Sequence, residues 1–240
     1  MSEKVIVALD FPDRTACLDF LGHFDHPLFV KIGMELFYKE GPDLVRQIGD
    51  LGHRIFLDLK LHDIPNTVSS AMRALASLDV AMVNVHAAGG KKMMEAAKEG
   101  LSEGCAARGA HDLPFLIAVT QLTSTDQRTM NEELRITGTV EETVRHYARL
   151  AKEAGLDGVV SSPLESPLIH EACGPSFLTV TPGVRFPGQD SQDQARVTSP
   201  DRARALGSDF IVMGRAITRA EDPRQAYERA HREFSGEPLF

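Results

Sequence analysis

The chain has 240 residues, 42% of them hydrophobic, with a formal net charge of −8 and three cysteines. The length suffices for a full core, as one barrel of the larger single-domain kind or as two small domains, and the acidic balance excludes nucleic acid as the main partner because phosphate backbones attract clustered Lys and Arg. Cys17, Cys105 and Cys173 are widely spaced, with no C-x-x-C pair, so neither a disulfide framework nor a thiolate metal site is expected, and a reduced cytosol fits.

Met1-Ser2-Glu3-Lys4 runs straight into an apolar segment without the build of a signal peptide, and no apolar run reaches spanning length. A soluble cytoplasmic protein with no membrane partner is the expectation. Strand-like runs then follow at about Val5 to Asp10, Phe29 to Ile32, Arg54 to Lys60, Met82 to His86, Phe115 to Thr120, Gly158 to Ser161, Leu178 to Thr181 and Phe210 to Met213. Most precede a segment of helical period, among them Val68 to Leu78, Gly90 to Ala107, Val140 to Ala154 and Pro223 to Phe234. Eight strand-then-helix units averaging about 30 residues predict a closed parallel (β/α)₈ TIM barrel, one domain over 1–240. A doubly wound open sheet would alternate in the same way. It is disfavoured because no G-x-G-x-x-G or G-x-x-x-x-G-K-[ST] loop follows the first strand. No Ser/Gly/Pro-rich tract or charge block divides the chain.

In such barrels the chemistry gathers at the C-terminal ends of the strands. Here strand one ends in Asp10, strand two carries Lys31 on the face of Phe29, and strand three carries Asp58 and Lys60 on the face of Phe56, with Leu57, Leu59 and Leu61 opposite. Four alternating charges are therefore expected to meet at one mouth. Strand four adds Asn84 and His86, strand five ends near Thr120, Gln121 and Thr123, strand seven runs into Thr181-Pro182-Gly183-Val184-Arg185, and strand eight into Gly214-Arg215. Pro65 halts the strand pattern after Asp63 and Ile64, leaving Asn66 and Thr67 as expected caps for the next helix.

Asp58, Lys60 and Asp63 could form a structural ion-pair network. The functional alternative is that the carboxylates keep Lys60 protonated and fix its ammonium for donation to a developing anion. A Schiff-base lysine would instead need an apolar pocket or a cationic neighbour. The segment from Gln189 through Arg196 is either a plain surface loop or, with Arg185, Gln194 and Arg215 as fork-shaped and amide donors, a lid over a phosphate between the loops after strands seven and eight. His23 and His26 beside Asp25 suit a solvated turn better than a metal. His86 suits a core rim, Gly89-Gly90 a tight turn, and Met93-Met94 a core or interface.

Taken together, Ala8-Leu9-Asp10, Phe29-Val30-Lys31-Ile32-Gly33, D-L-K-L-H-D-I-P-N-T over 58–67, Val119-Thr120-Gln121-Leu122-Thr123, Thr181-Pro182-Gly183-Val184-Arg185, Asp193-Gln194 and Val212-Met213-Gly214-Arg215 resemble the bacterial orotidine 5′-phosphate decarboxylases over nearly the whole chain. The resemblance implies loss of CO₂ from orotidine 5′-phosphate to give UMP, the last step of pyrimidine nucleotide synthesis, with no cofactor and no metal. It implies Lys60 as proton donor to C6, Asp58 by the substrate carboxylate, and Lys31 between the charged network and the ribose. Asp10 would bind a ribose hydroxyl, Thr123 the pyrimidine edge, and Gln194, Arg185, Gly214 and Arg215 the phosphate, with Pro182 lining the site. Asp63, Ile64 and Thr67 would reach the neighbouring site of a homodimer. The enzymatic alternative on the same D-x-K-x-x-D core is a Mg²⁺-dependent sugar-phosphate decarboxylase or aldol-type synthase, with Glu35 as the nearest candidate ligand. A non-catalytic barrel that binds a phosphate ligand is the alternative of another class.

Overall fold

In the computed structural model, which describes residues 4–110, 112–188 and 198–236, the eight strands close on themselves in chain order, each parallel to its neighbours. They are β1 (Val5–Ala8), β2 (Phe29–Gly33), β3 (Arg54–Leu61), β4 (Met82–His86), β5 (Phe115–Val119), β6 (Gly158–Val160), β7 (Leu178–Thr181) and β8 (Phe210–Met213). Around them run α1 (Arg14–Leu21), α2 (Met34–Asp50), α3 (Pro65–Leu75), α4 (Lys91–Ala107), α5 (Val140–Glu153), α6 (Ser166–Cys173), α7 (Pro200–Ala205), α8 (Arg215–Thr218) and α9 (Pro223–Ser235). The expected (β/α)₈ barrel is the observed fold.

Period-two alternation along each strand sorts the apolar residues into two cores. Val5, Val7, Leu9, Val30, Ile32, Ile55, Leu57, Val83, Val85, Leu116, Ala118, Ile211 and Met213 face outward and pack under the helices. Their alternate neighbours Ile6, Ala8, Phe29, Phe56, Met82, Ile117, Val180, Phe210 and Val212 fill the barrel. Phe29 meets Phe210 edge-on at 6.0 Å between ring centroids, and the Arg54 guanidinium lies 4.6 Å from the Phe29 ring centre, closing the floor with a cation–π contact. With the floor packed, a ligand can enter only from the opposite end.

Two differences from the sequence reading are local. The helix expected from Val68 begins at Pro65, with Ile64 at the cap position, so Asn66 and Thr67 are residues of its first turn and not caps. A proline lacks the N–H that the first helical position leaves unsatisfied anyway, and its fixed φ suits that position. The strand expected to end at Asp10 ends at Ala8, which leaves Asp10 in the loop above the barrel.

Helices α3 and α4 cross closely because α4 presents Gly100 and Gly104 to α3. A Cβ on Gly100 would overlap the Ser69 carbonyl, and one on Gly104 would lie 2.6 Å from both the Arg73 oxygen and the Ala76 Cβ. This contact holds α3, and with it the chain leaving β3, against the barrel. We therefore expect Gly104→Ala to destabilise the fold by about 1–3 kcal/mol through overpacking, despite alanine's better helix propensity. Gly49→Ala in α2, where the new methyl would meet only Ile55 Cδ1 at 3.9 Å, should be neutral or mildly stabilising. Denaturant titration of both variants checks the contrast.

Candidate active site

The open end of the barrel holds a cavity of about 660 Å³ whose walls include Asp10, Lys31, Asp58, Lys60, Thr123, Pro182, Arg185, Gly214 and Arg215. One side is built by the inward row of β2 and β3. Above Phe29 the next inward residue is Lys31, and above Phe56 it is Asp58. Each strand thus spends its lower inward position on apolar packing and its upper one on a charge.

Asp58 is the hub. Its Oδ1 accepts from Lys60 Nζ at 2.7 Å and from Asn84 Nδ2 at 2.7 Å, while Oδ2 lies 3.3 Å from Lys31 Nζ. Lys31 Nζ also reaches Asp10 Oδ1 at 3.4 Å, so carboxylate, ammonium, carboxylate and ammonium alternate across the floor of the cavity. Exposure differs along this row. The Asp10 side chain is 61% exposed, against 13% for Lys31, 11% for Asp58 and 23% for Lys60, so water screens Asp10 most and the inner trio carries the electrostatics. Burial alone pushes the Asp58 carboxyl up. The Lys31 and Lys60 ammonium groups and the hydrogen bonds from Lys60 and Asn84 outweigh it and hold the group below the usual carboxylate range. Asp58 is therefore a fixed anion between two cations.

Lys60 reaches this position through an irregularity. Between the pairs Leu57 with Val83 and Leu61 with Val85, four steps along β3 are matched by two along β4, a bulge of the kind that re-aims side chains beside active sites. Lys60 takes φ +52°, a left-handed conformation that costs a non-glycine residue about 1 kcal/mol or more. Its backbone N–H donates to Asn84 Oδ1 at 2.8 Å. The alternation that puts Phe56, Asp58 and Lys60 on one face is thus completed by a bulge, not by a straight strand.

Around the rest of the cavity, β5 leads into Gln121, Leu122, Thr123 and Ser124, β6 into Ser161, β7 into Pro182, Gly183, Val184 and Arg185, and β8 into Gly214, Arg215 and Arg219. The segment after β7 is pinned at its base, where Arg185 N–H donates to the Thr198 oxygen at 3.0 Å and Thr198 N–H to the Gly183 oxygen at 3.1 Å. Gln194 lies outside the described residues. Arg185 and Arg215, on separate loops, both line the cavity, and guanidinium groups suit a phosphate dianion.

Asp63, Ile64 and Thr67 do not line this cavity. All three are exposed, Ile64 at 66%, and Asp63 Oδ1 accepts the Ile64 N–H at 2.6 Å. Within one chain, therefore, Lys60 is paired to Asp58 and not to Asp63. The sequence reading also passed over Ser161, Ser124 and Arg219 as wall residues and gave Asn84 no role. Ser161 and Ser124 follow β6 and β5, where position alone could have flagged them. Arg219 stands one helical turn after Arg215. The use of Asn84 could not be found from spacing, because it depends on how β3 and β4 pair. His86 at the end of β4 stacks on His62 at 5.6 Å, and burial first, then the neighbouring His62 and Lys60, lower its pKa. Glu35 is exposed in the first turn of α2 and is not part of the cavity wall. Among the described residues no group of three or more His, Cys, Asp or Glu side chains is placed to hold a metal, and no helix is long and apolar enough to cross a membrane.

Comparison with known proteins places the chain as a whole. The model of the orotidine 5′-phosphate decarboxylase / HUMPS family matches residues 3–230. Orotidine 5′-phosphate decarboxylases of Bacillus cytotoxicus and Bacillus mycoides are each 58% identical to this chain over 237 residues, 98% of it and 99% of each relative. The crystal structure of orotidine 5′-phosphate decarboxylase from Lactobacillus acidophilus superposes with a TM-score of 0.87 at 43% identity, covering 97% of this chain and 99% of that one. A crystal structure of an uncharacterized conserved protein from Geobacillus kaustophilus does so with a TM-score of 0.86 at 54% identity, covering 96% and 99%. Matched over almost its whole length by the family model and by these relatives, the chain belongs to the orotidine 5′-phosphate decarboxylase / HUMPS family.

Proposed function

We propose that this chain converts orotidine 5′-phosphate to UMP and CO₂, with Lys60 as the proton donor. The observation that carries the reading is the Lys60 ammonium held 2.7 Å from the buried Asp58 carboxylate, in a cavity also lined by Arg185 and Arg215. The relatives' names supply the reaction and the geometry supplies a way to run it.

The difficulty of the reaction is electronic. When the bond from C6 to the carboxylate breaks, its electron pair stays on C6 in an orbital lying in the ring plane, where the π system cannot spread it. Cofactors such as pyridoxal phosphate offer an electron sink for this purpose. Without one, stabilisation must come through space, from a cation already in place before the charge develops. Lys60 fits that need, since its ammonium is fixed and its proton can pass to C6 as CO₂ departs. The proton transferred to carbon is then replaced from water. Asp58 would sit beside the departing carboxylate, where like charge raises the energy of the bound substrate, but we assign this effect less weight than the cation.

The remaining roles are those implied by the resemblance to the family. Asp10, at the exposed end of the charge row, and Lys31 beside it suit ribose hydroxyls, and the Thr123 hydroxyl suits a pyrimidine edge. Pro182 lines the wall, while Arg185, Gly214 and Arg215 receive the phosphate, with Gln194 bridging toward it. Binding energy gathered at the phosphate, away from C6, can be used to hold the ring against Lys60.

The site is proposed to be completed by a second copy of the chain in a two-fold homodimer. In support, Asp63, Ile64 and Thr67 stand exposed just past the end of β3 and do not line the cavity of their own chain. A cytoplasmic location agrees with the substrate, a soluble nucleotide.

Purified chain should lower the absorbance of orotidine 5′-phosphate and yield UMP at a rate that EDTA does not change. EDTA-sensitive turnover of a sugar phosphate would favour the Mg²⁺-dependent alternative, and UMP binding without turnover would favour the phosphate-binding barrel. Lys60→Ala should cut turnover by about 10³-fold or more while the chain stays folded and dimeric. Near-normal rates would remove Lys60 as donor. Mixing Asp63→Ala with Lys60→Ala chains should restore about a quarter of the parent activity, because random exchange makes half of the dimers hybrid and each hybrid has one intact site. Absence of recovery after subunit exchange has been verified would rule out a shared site.

A further inference from the structure

Asn84 occupies the inward position of β4 directly above Met82 and is only 1% exposed. A buried amide has one acceptor and two donors to satisfy, and its surroundings decide which end faces which partner. A backbone N–H can only donate, so Oδ1 must face Lys60 N, at 2.8 Å. An ionised carboxylate can only accept, so Nδ2 must face Asp58 Oδ1, at 2.7 Å. That oxygen also accepts from Lys60 Nζ at 2.7 Å. The three residues therefore form a closed ring: Lys60 backbone to Asn84, Asn84 to Asp58, and Asp58 to the tip of the Lys60 side chain. One amide holds the lysine backbone directly and its side-chain tip through Asp58.

The grip falls where the backbone needs it. Lys60 is left-handed, at φ +52°, within the bulge between β3 and β4, and its N–H is bonded to a side chain instead of to the β4 backbone. Loss of Asn84 would free that N–H and remove one of the donors that orient the Asp58 carboxylate. Asn84 does not line the cavity, so it has no direct access to a ligand.

We propose that Asn84 is a positioning residue of the decarboxylation, fixing where the Lys60 ammonium stands by holding the Lys60 backbone and the Asp58 carboxylate in register. This rests on the reading of Lys60 as donor. Its signature is a loss of kcat with ligand binding kept, because the amide acts on the proton donor and not on the phosphate or ribose contacts.

The test compares parent, Asn84→Ala and Asn84→Asp for kcat, KM, UMP affinity and pH profile. Asn84→Asp keeps the volume and the acceptor for Lys60 N–H but replaces the donor to Asp58 with a second acid, so it decides the matter should the alanine variant not fold. We expect kcat to fall about 10- to 100-fold, the usual range for an outer hydrogen-bonding partner of a reacting group, with UMP affinity within about threefold of the parent. In Asn84→Asp the deficit should shrink as the pH falls from 8 to 6, since two facing carboxyls share a proton and the protonated one can again donate to Asp58. Lys31, Lys60, Asp58, His62 and His86 surround the same cluster, and the parent profile measured alongside accounts for them. Variants with kcat within twofold of the parent, or whose kcat and UMP affinity fall together with no recovery at low pH, would overturn the role. A parent chain that binds UMP but does not turn over orotidine 5′-phosphate would overturn the reaction itself and this inference with it. A working parent with indifferent Asn84 variants would overturn only the latter.

Discussion

A carboxylate buried among two ammonium groups is the interaction on which this site depends. Asp58 could not be held as an anion at 8% exposure by one partner without leaving part of its charge unanswered, and either lysine would be repelled by the other without it. Lys60 and Asn84 donate hydrogen bonds to it and Lys31 pairs with its other oxygen through charge. A buried network of this kind is a poor way to gain stability, since apolar residues of similar volume would serve the fold as well. What it provides is a positive charge at a fixed point in a partly dry cavity. Such a charge needs no reorganisation when a negative centre forms beside it.

The barrel makes this arrangement tolerable. Its lower half is packed with Phe29, Phe56, Met82, Ile117 and Phe210 and is closed by Arg54, so the charged layer rests on a rigid floor. The upper half is open, and the outer end of the charge row, at Asp10, meets water. The other three charges of the row are mostly buried, the proposed proton donor Lys60 at 23% side-chain exposure. The lining arginines come from the loops after β7 and β8, so a substrate held by them and by the charge row would be gripped by several separate strand ends of the barrel.

Much of this was legible in the chain itself. Eight apolar runs of strand length, spaced by helical segments, lead to the barrel, and the change from Phe29 to Lys31 and from Phe56 to Asp58 along one face marks the end at which chemistry is done. Local signals fared less well where two of them competed. Asn66 and Thr67 are good caps by type, yet Pro65 starts the helix before them, because a proline at the first turn satisfies a backbone constraint that the side chains do not. Asp10 likewise reads as a strand residue by alternation but stands beyond the last residue of β1.

Alternating polarity, periodicity and residue type are properties of consecutive residues, and so the sequence by itself determined the fold class, the polar end of the barrel and the identity of the charged row. The tertiary structure alone decided the bulge that turns Lys60 into the cavity, the amide of Asn84 that ties it to Asp58, and the outward course of Asp63, Ile64 and Thr67. Each of these depends on how β3 registers against β4 or on what lies beyond the end of β3. Strand register is settled by pairing between segments some 24 residues apart in sequence, as from Lys60 to Asn84, and no local pattern encodes it.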